Sequence, residues 1–144
     1  MSYVYDVSFV GALIIPDEKN LSVEKTHQTI DEKYSSQEDV IFTPHLLWYE
    51  ISNIFNNLLK RKRYSYEKVM QFYPLLAKFR LTTDFETGVK YSQKLLNLCN
   101  EYNLSSYDAA YLELADRKKA TLCTLDNNLK TAAKKHGVKV LSAE

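Results

Sequence analysis

The chain has 144 residues, of which 45% are hydrophobic, and its formal net charge is +1. This size and composition suit one compact domain, residues 1–144, with a hydrophobic core. The sequence holds no apolar run of roughly 18 residues that could span a membrane, and its N-terminus lacks the pattern of a signal peptide. We therefore expect a soluble, cytoplasmic protein whose two cysteines, Cys99 and Cys123, are reduced. The three glycines form no GxGxxG or GxxxxGK loop, which excludes the common nucleotide-binding motifs.

Charge is distributed unevenly along the chain. Residues 1–59 hold 9 acidic and 3 basic side chains, whereas residues 60–144 hold 9 acidic and 16 basic ones. The basic side chains cluster at residues 60–63, 117–119 and 130–139. Such an asymmetry is typical of a surface that faces a polyanion. Solvated helix ends would explain each single cluster equally well.

Apolar periodicity predicts strands that alternate with helices along the chain. Strands are predicted over residues 2–5, 40–43, 79–83, 120–125 and 138–141. Helices are predicted over residues 7–15, 21–34, 45–62, 64–77, 85–102, 105–119 and 127–136. Strands that alternate with helices imply right-handed crossovers. The fold class is therefore expected to be a three-layer α/β/α sandwich with a mainly parallel central sheet.

Two aspartates directly follow predicted strands. Asp6 comes after the first strand and Asp126 after the fourth. In open α/β sheets, functional sites collect at the carboxyl ends of the strands, so both positions favour a site. Each aspartate also fits the N-cap of the helix that follows it, and the local sequence leaves both interpretations open.

Two further acids lie on or beside the apolar faces of predicted helices. Asp108 shares its helix face with Tyr111, three residues further on, although Ser105 and Asp108 also resemble a capping pair. Glu50 lies at the edge of the apolar stripe of its helix, where a boundary glutamate with an exposed carboxylate is the alternative.

Together the four acids indicate a metal site. Carboxylates that are crowded at one sheet edge repel one another and raise one another's pKa unless a cation neutralises them. Ligation by oxygen alone fits Mg²⁺ or Mn²⁺, whereas zinc would require histidine or thiolate ligands, and none is suitably placed.

These residues resemble the PIN-domain ribonucleases, in particular the single-domain toxins of VapBC toxin-antitoxin systems. The likeness extends over essentially the whole chain. The matching elements are Tyr5-Asp6-Val7-Ser8, Glu50 with Asn53, Ser106-Tyr107-Asp108-Ala109-Ala110-Tyr111-Leu112-Glu113-Leu114-Ala115, and Thr124-Leu125-Asp126-Asn127-Asn128-Leu129. Asn128 stands where some relatives carry a further acid.

The resemblance implies a metal-dependent endoribonuclease that leaves 5′-phosphate and 3′-hydroxyl ends. The implied ligands of Mg²⁺ or Mn²⁺ are Asp6, Glu50, Asp108 and Asp126. Ser8 and Thr124 would orient these carboxylates or a water. The implied partners are an RNA substrate, a VapB-like antitoxin that lies across the active-site groove, and a second copy in a homodimer. The region through Tyr34 and the helix from Tyr64 to Leu76 would form the groove walls.

Two other functions remain open at this stage. The chain could be a PIN-like nuclease that processes RNA or acts on DNA, or a catalytically silent α/β interaction module. Intact acids at all four matching positions argue against the silent module. Tyr107 and Tyr111 would either stack on unpaired bases or pack in the interior.

Overall fold

The computed structural model describes residues 1–35 and 39–141. Five strands alternate with helices along these residues. The strands are β1 (Ser2–Tyr5), β2 (Val40–Pro44), β3 (Thr82–Asp84), β4 (Thr121–Cys123) and β5 (Val140–Leu141). The helices are α1 (Val7–Ile14), α2 (Leu21–Ser35), α3 (Leu46–Lys60), α4 (Tyr66–Met70), α5 (Phe72–Lys78), α6 (Val89–Tyr102), α7 (Ser106–Lys118) and α8 (Asn127–His136). A 3₁₀ turn, Pro16–Glu18, follows α1.

All strand pairs in the sheet are parallel, and the strand order is β3-β2-β1-β4-β5. Strand β1 lies at the centre, where Val4 pairs with Phe42 of β2 on one side and with Leu122 of β4 on the other. This topology confirms the α/β fold expected from the sequence. Because β1 is covered on both faces, Val4 and Tyr5 have no exposed surface.

The strand order also determines which helices share a face of the sheet. From β1 to β3 the chain moves towards one edge, whereas β4 and β5 extend the sheet on the other side of β1. Right-handed crossovers then place α1 to α5 on one face and α6 to α8 on the opposite face. Contacts within each group agree with this arrangement, since α1 packs on α2, α3 and α5, and α7 packs on α6 and α8.

Local sequence determines where several helices begin and end. Asp6, Ser105 and Asp126 are the N-caps of α1, α7 and α8, and each side chain accepts a hydrogen bond from the amide three residues further on. Gly137 ends α8 with a φ of 86°, a left-handed conformation that favours glycine. The aspartates therefore do fill the capping role that the sequence left open.

Two predicted helices differ clearly from the structure, whereas most other predicted elements differ by one or two residues at an end. The helix expected over 64–77 is divided into α4 and α5 at Gln71. A continuous helix is not possible there, because Pro74 lacks an amide hydrogen and its ring would clash with the carbonyl group of Met70. The helix expected from residue 85 begins only at Val89, after Gly88. The short strand expected over 79–83 is β3, shifted towards Asp84. Within residues 1–35 and 39–141, no helix is both long and apolar enough to cross a membrane.

Candidate active site

The reversal of strand order lies between β1 and β4, the neighbouring strands from which the chain departs in opposite directions. Ligand sites of open α/β sheets occur in the crevice at the carboxyl ends of such strands. Asp6 immediately follows β1, and Asp126 lies in the loop after β4 and caps α8. Helix α7 leads into β4, so its N-terminal turn, which carries Asp108, lies at the same edge.

Asp6 is the most buried of the four predicted ligands, with 4% of its surface exposed. Its Oδ1 accepts hydrogen bonds from Ser8 Oγ at 2.7 Å and from the amide of Phe9 at 3.0 Å. Its Oδ2 accepts a hydrogen bond from Thr124 Oγ1. Burial nevertheless raises the pKa of Asp6, and the charge of Asp108 adds to that rise. The carboxylate is therefore held rigidly, but its charge is only partly compensated.

The same two hydroxyl groups join the loops that follow β1 and β4. Ser8 Oγ accepts a hydrogen bond from the amide of Leu125 at 2.9 Å. Thr124 Oγ1 accepts one from the amide of Asp126 at 3.0 Å. Since each hydroxyl also donates to Asp6, the positions of Asp6 and of the Asp126 backbone depend on each other.

Glu50, on α3, reaches the site through a contact with α7. The hydroxyl group of Tyr111 donates a hydrogen bond of 2.5 Å to Glu50 Oε1. Burial is the main cause of a raised pKa at Glu50, and the charges of Asp6 and Asp108 raise it further. The charge of Glu50 is therefore coupled to those of both aspartates.

Asp108 lies in the first turn of α7. Its amide donates a hydrogen bond to the N-cap Ser105 Oγ at 3.1 Å, as the sequence indicated. Burial raises the pKa of Asp108, and the neighbouring charge of Asp126 raises it further. A series of carboxylate interactions therefore links Glu50, Asp6, Asp108 and Asp126. Capping is compatible with metal binding at all three aspartates. Asp6 and Asp126 each accept the cap bond on one carboxylate oxygen, and Asp108 donates only its backbone amide.

The residues present suit a hard divalent cation. In the described residues, none of the ion pairs formed by Lys, Arg, His or the N-terminus involves any of the four carboxylates. Their charge is thus left for a cation, and oxygen is the ligand that Mg²⁺ and Mn²⁺ prefer. Over the same ranges, no three Asp, Glu, His or Cys side chains are placed so that together they could hold a metal ion. Mg²⁺ commonly keeps several waters and requires only one or two direct carboxylates.

Other residues singled out in the sequence have different surroundings. Tyr111 is only 1% exposed and cannot stack on a base, whereas Tyr107 is 59% exposed beside Asp108. Asn53 and Asn128 are exposed, and Cys99 and Cys123 are free thiols.

Sequence reasoning missed two contacts. One is the bond from Tyr111 to Glu50, for which the position of Tyr111 three residues after Asp108 was the available signal. The other concerns Arg117, which the sequence places in a basic cluster. Its guanidinium group binds both carboxylate oxygens of Asp84, at 3.0 and 2.6 Å, and it also binds Glu113. Arg117 is therefore a structural cation rather than a surface one, and its spacing of four residues from Glu113 was the signal.

Comparison with known proteins identifies the family. A family model described as PIN domain matches residues 4–135. Similar solved structures include PAE2754 from Pyrobaculum aerophilum, with 21% identity over 97% of this chain and 83% of that chain and a TM-score of 0.67. VapBC2 from Rickettsia felis, bound to a DNA fragment from its promoter, has 17% identity over 98% of both chains and a TM-score of 0.67. VapC20 from Mycobacterium tuberculosis, a toxin that cleaves the sarcin-ricin loop, has 15% identity over 90% of this chain and 94% of that chain and a TM-score of 0.58.

At these identities the solved structures show the fold alone. No curated protein matches the chain significantly. The family model, however, spans most of the sequence and includes all four acids at the sheet edge. The chain therefore belongs to the PIN-domain family, a family of nucleases.

Proposed function

We propose that this protein is an endoribonuclease that depends on Mg²⁺ or Mn²⁺ and acts as the toxin of a toxin-antitoxin pair. The observation that carries the proposal is the set of interacting carboxylates at the reversal of strand order. Asp6, Glu50 and Asp108 all have a pKa raised by burial and by neighbouring carboxylates, and they have no ion-pair partner among the described residues. A PIN-domain chain with this arrangement is best explained as a nuclease that binds a divalent cation.

The proposed ligands of the cation are Asp6, Glu50, Asp108 and Asp126. A divalent cation held by these residues would supply positive charge for the phosphate oxygens and would make a water molecule more acidic. Ser8 and Thr124 hold Asp6 in one orientation through both of its oxygens. Uncompensated carboxylates repel a phosphate, so the site is expected to accept RNA only when its charge is neutralised.

RNA is the proposed substrate for two reasons. VapC20, which shares the fold, cleaves an RNA loop. In this chain the exposed side chain of Tyr107 directly precedes Asp108, so an unpaired base has an aromatic surface beside the site.

The proposed partners are an antitoxin and a second copy of the chain. The antitoxin is proposed because the chain shares its fold with VapBC2, a toxin-antitoxin complex. In helices α4 and α5, the residues Tyr66, Met70 and Leu75 have 63%, 45% and 43% of their surface exposed. Large exposed apolar side chains on two consecutive helices are a reason to propose an interface at α4 and α5. Size-exclusion chromatography with light scattering tests the homodimer, and a monomer at micromolar concentration would contradict it.

The enzymatic proposal is tested with labelled single-stranded RNA and the purified protein. Cleavage is expected in Mg²⁺ or Mn²⁺ and not after chelation. Asp6→Asn and Asp108→Asn should each lower the rate by two orders of magnitude or more. Glu101→Gln, which removes an exposed carboxylate in α6, should leave the rate unchanged. Undiminished cleavage in both asparagine variants would refute the site, and cleavage of single-stranded DNA in preference to RNA would refute the substrate.

The toxin role requires a separate experiment. Induced expression in bacteria is expected to arrest growth, and Asp108→Asn is expected to abolish the arrest. Co-expression of a small DNA-binding protein encoded beside this chain should restore growth. Normal growth with an enzyme that is active in vitro would refute the toxin role while leaving the nuclease intact.

A further inference from the structure

Tyr111 differs from the other large side chains of α7 in having a polar group aimed at the carboxylates. It lies three residues after Asp108, on the same face of the helix, and only 1% of its surface is exposed. Its hydroxyl group donates a hydrogen bond to Glu50 of α3. A phenol is neutral below its ordinary pKa of about 10, so at neutral pH Tyr111 offers a hydrogen-bond donor and no charge.

The hydrogen bond from Tyr111 connects two helices on opposite sides of the site. Tyr111 belongs to α7 and Glu50 to α3, and the two residues are separated by 61 positions. The distance between the hydroxyl oxygen and Glu50 Oε1 is 2.5 Å, in the range of strong bonds to a carboxylate. Because the phenol ring is packed in the core, it gives Glu50 a rigid support that the exposed neighbours Tyr49 and Asn53 do not offer.

A neutral donor has a different effect from a cation at this position. A lysine or arginine would also hold Glu50, but it would neutralise the charge that a metal ion requires. The phenol occupies Oε1 and leaves the negative charge in place. Among the described residues, Oε2 of Glu50 has no hydrogen bond or ion pair. Within these residues, Oε2 is thus the carboxylate oxygen without a hydrogen-bond partner, which suits ligation of a cation through a single oxygen.

We infer that Tyr111 is a positioning residue of the proposed metal site: it holds Glu50 through Oε1 and would leave Oε2 for a divalent cation. This inference rests on the proposed function. It assigns to Tyr111 a role other than base stacking or ordinary packing. Hydrogen-bonded partners of metal ligands commonly account for 10-fold to 100-fold in metal affinity, and an effect of about this size is expected here.

The test uses Tyr111→Phe, which keeps the buried ring and removes only the hydroxyl group. Binding of Mn²⁺ is measured by isothermal titration calorimetry, and the Mn²⁺ and Mg²⁺ concentrations for half-maximal RNA cleavage are measured in parallel. Tyr111→Phe is expected to raise the dissociation constant for Mn²⁺ by about 10-fold to 100-fold. Circular dichroism and the urea midpoint check folding, and Tyr111→Leu, which also lacks the hydroxyl group, should show the same rise.

The matched control is Tyr102→Phe. Tyr102 forms a comparable hydroxyl bond of 2.8 Å, to His136 Nδ1, between α6 and α8. Its loss should leave Mn²⁺ affinity unchanged. Action through Glu50 is tested by combining variants: in a Glu50→Gln background, Tyr111→Phe should add no further loss of affinity, whereas an independent, additive loss would overturn the inference.

Failure of this inference is distinguishable from failure of the proposed function. If the wild-type protein binds Mn²⁺ and cleaves RNA, and folded Tyr111→Phe does both at unchanged metal concentrations, Tyr111 has no positioning role. If the wild-type protein neither binds Mn²⁺ nor cleaves RNA, the metal-dependent function is refuted and the inference with it.

Discussion

Replacement of Arg117 by methionine tests the packing of the helix that carries Asp108 and Tyr111. The guanidinium group of Arg117 binds two oxygens of Asp84, the last residue of β3, and two oxygens of Glu113, one turn earlier on α7. The side chains of Asp84 and Glu113 are 14% and 6% exposed, and that of Arg117 is 25% exposed. Arg117→Met would keep much of the apolar stem and leave two largely buried carboxylates without a cation.

The expected loss of stability follows from this burial. Removing one partner of a buried ion pair typically costs about 3–5 kcal/mol, mostly through the charge left unpaired. Partial exposure of Arg117 lets water reach the two carboxylates, so we expect about 2–3 kcal/mol. For a protein of this size, each kcal/mol lowers the melting temperature by about 3–4 °C. The expected decrease is therefore about 6–12 °C.

Urea unfolding at several pH values is the assay. Arg117 lowers the pKa of Asp84, so this carboxylate stabilises the wild-type fold above the ordinary aspartate pKa of about 3.9, and the stabilisation is lost as the pH falls below it. The difference between wild type and Arg117→Met should thus be largest near neutral pH and should shrink as the pH falls from about 5 to about 3. Adding Glu113→Gln to Arg117→Met should recover part of the loss.

Arg63→Met is the matched control. Arg63 pairs with Asp17 at the surface, where the side chains are 38% and 51% exposed. Such a pair contributes about 1 kcal/mol at most. Equal losses in the two variants, or a loss in Arg117→Met that does not change with pH, would refute the assignment of Arg117 as a structural cation.

Three further predictions concern the carboxylate site. Thr124→Val removes a hydroxyl group that lowers the pKa of Asp6, so the acid limb of the pH–rate profile should move to higher pH. Metal affinity should fall about 10-fold to 100-fold. An unchanged metal requirement for cleavage would contradict this prediction. Without metal at neutral pH, Asp108→Asn should raise the melting temperature by a few degrees, because an aspartate with a raised pKa destabilises the fold once it is ionised. In differential scanning fluorimetry, added Mg²⁺ should stabilise the wild type more than the variant. Tyr107→Ala should weaken binding of unpaired RNA by about 1–3 kcal/mol in fluorescence anisotropy. Leu96→Ala, at a similarly exposed apolar residue of α6, should not weaken binding. Equal effects would contradict base stacking at Tyr107.

Much of the fold could be predicted because its signals are local. Apolar runs that alternate with amphipathic helices indicate a parallel sheet, and the observed sheet is parallel throughout. The division between α4 and α5 was also available locally, since Pro74 cannot continue a helix from Met70. The late start of α6 at Val89 follows a glycine with a φ of 105°, which the periodicity alone did not indicate.

The sequence predicted part of the candidate site but not the contacts within it. Asp6 and Asp126 follow predicted strands, so their place at one edge of the sheet could be expected. Contacts across the site could not be read from the pattern. Thr124 reaches Asp6 across 118 positions, and Tyr111 reaches Glu50 across 61. Only the order of the strands brings these residues together.

Arg117 also shows that the sequence identifies a charged side chain but not its partners. Its charge and its place in a basic cluster were visible in the sequence, and both interpretations offered there kept it at the surface. The structure pairs it with Asp84, 33 positions away, and removes it from the cations available to a polyanion. Burial and partners far apart in sequence decide whether a charge is structural or functional.

The sequence by itself determined the elements, the parallel sheet and the four acids that define this protein's candidate site, because helical period, strand length and turn residues act over a few positions. The tertiary structure alone decided that β4 lies beside β1, that Ser8 and Thr124 both hold Asp6, and that Tyr111 supports Glu50. These contacts depend on helix packing and strand order, which are set by burial of the whole core rather than by any local pattern.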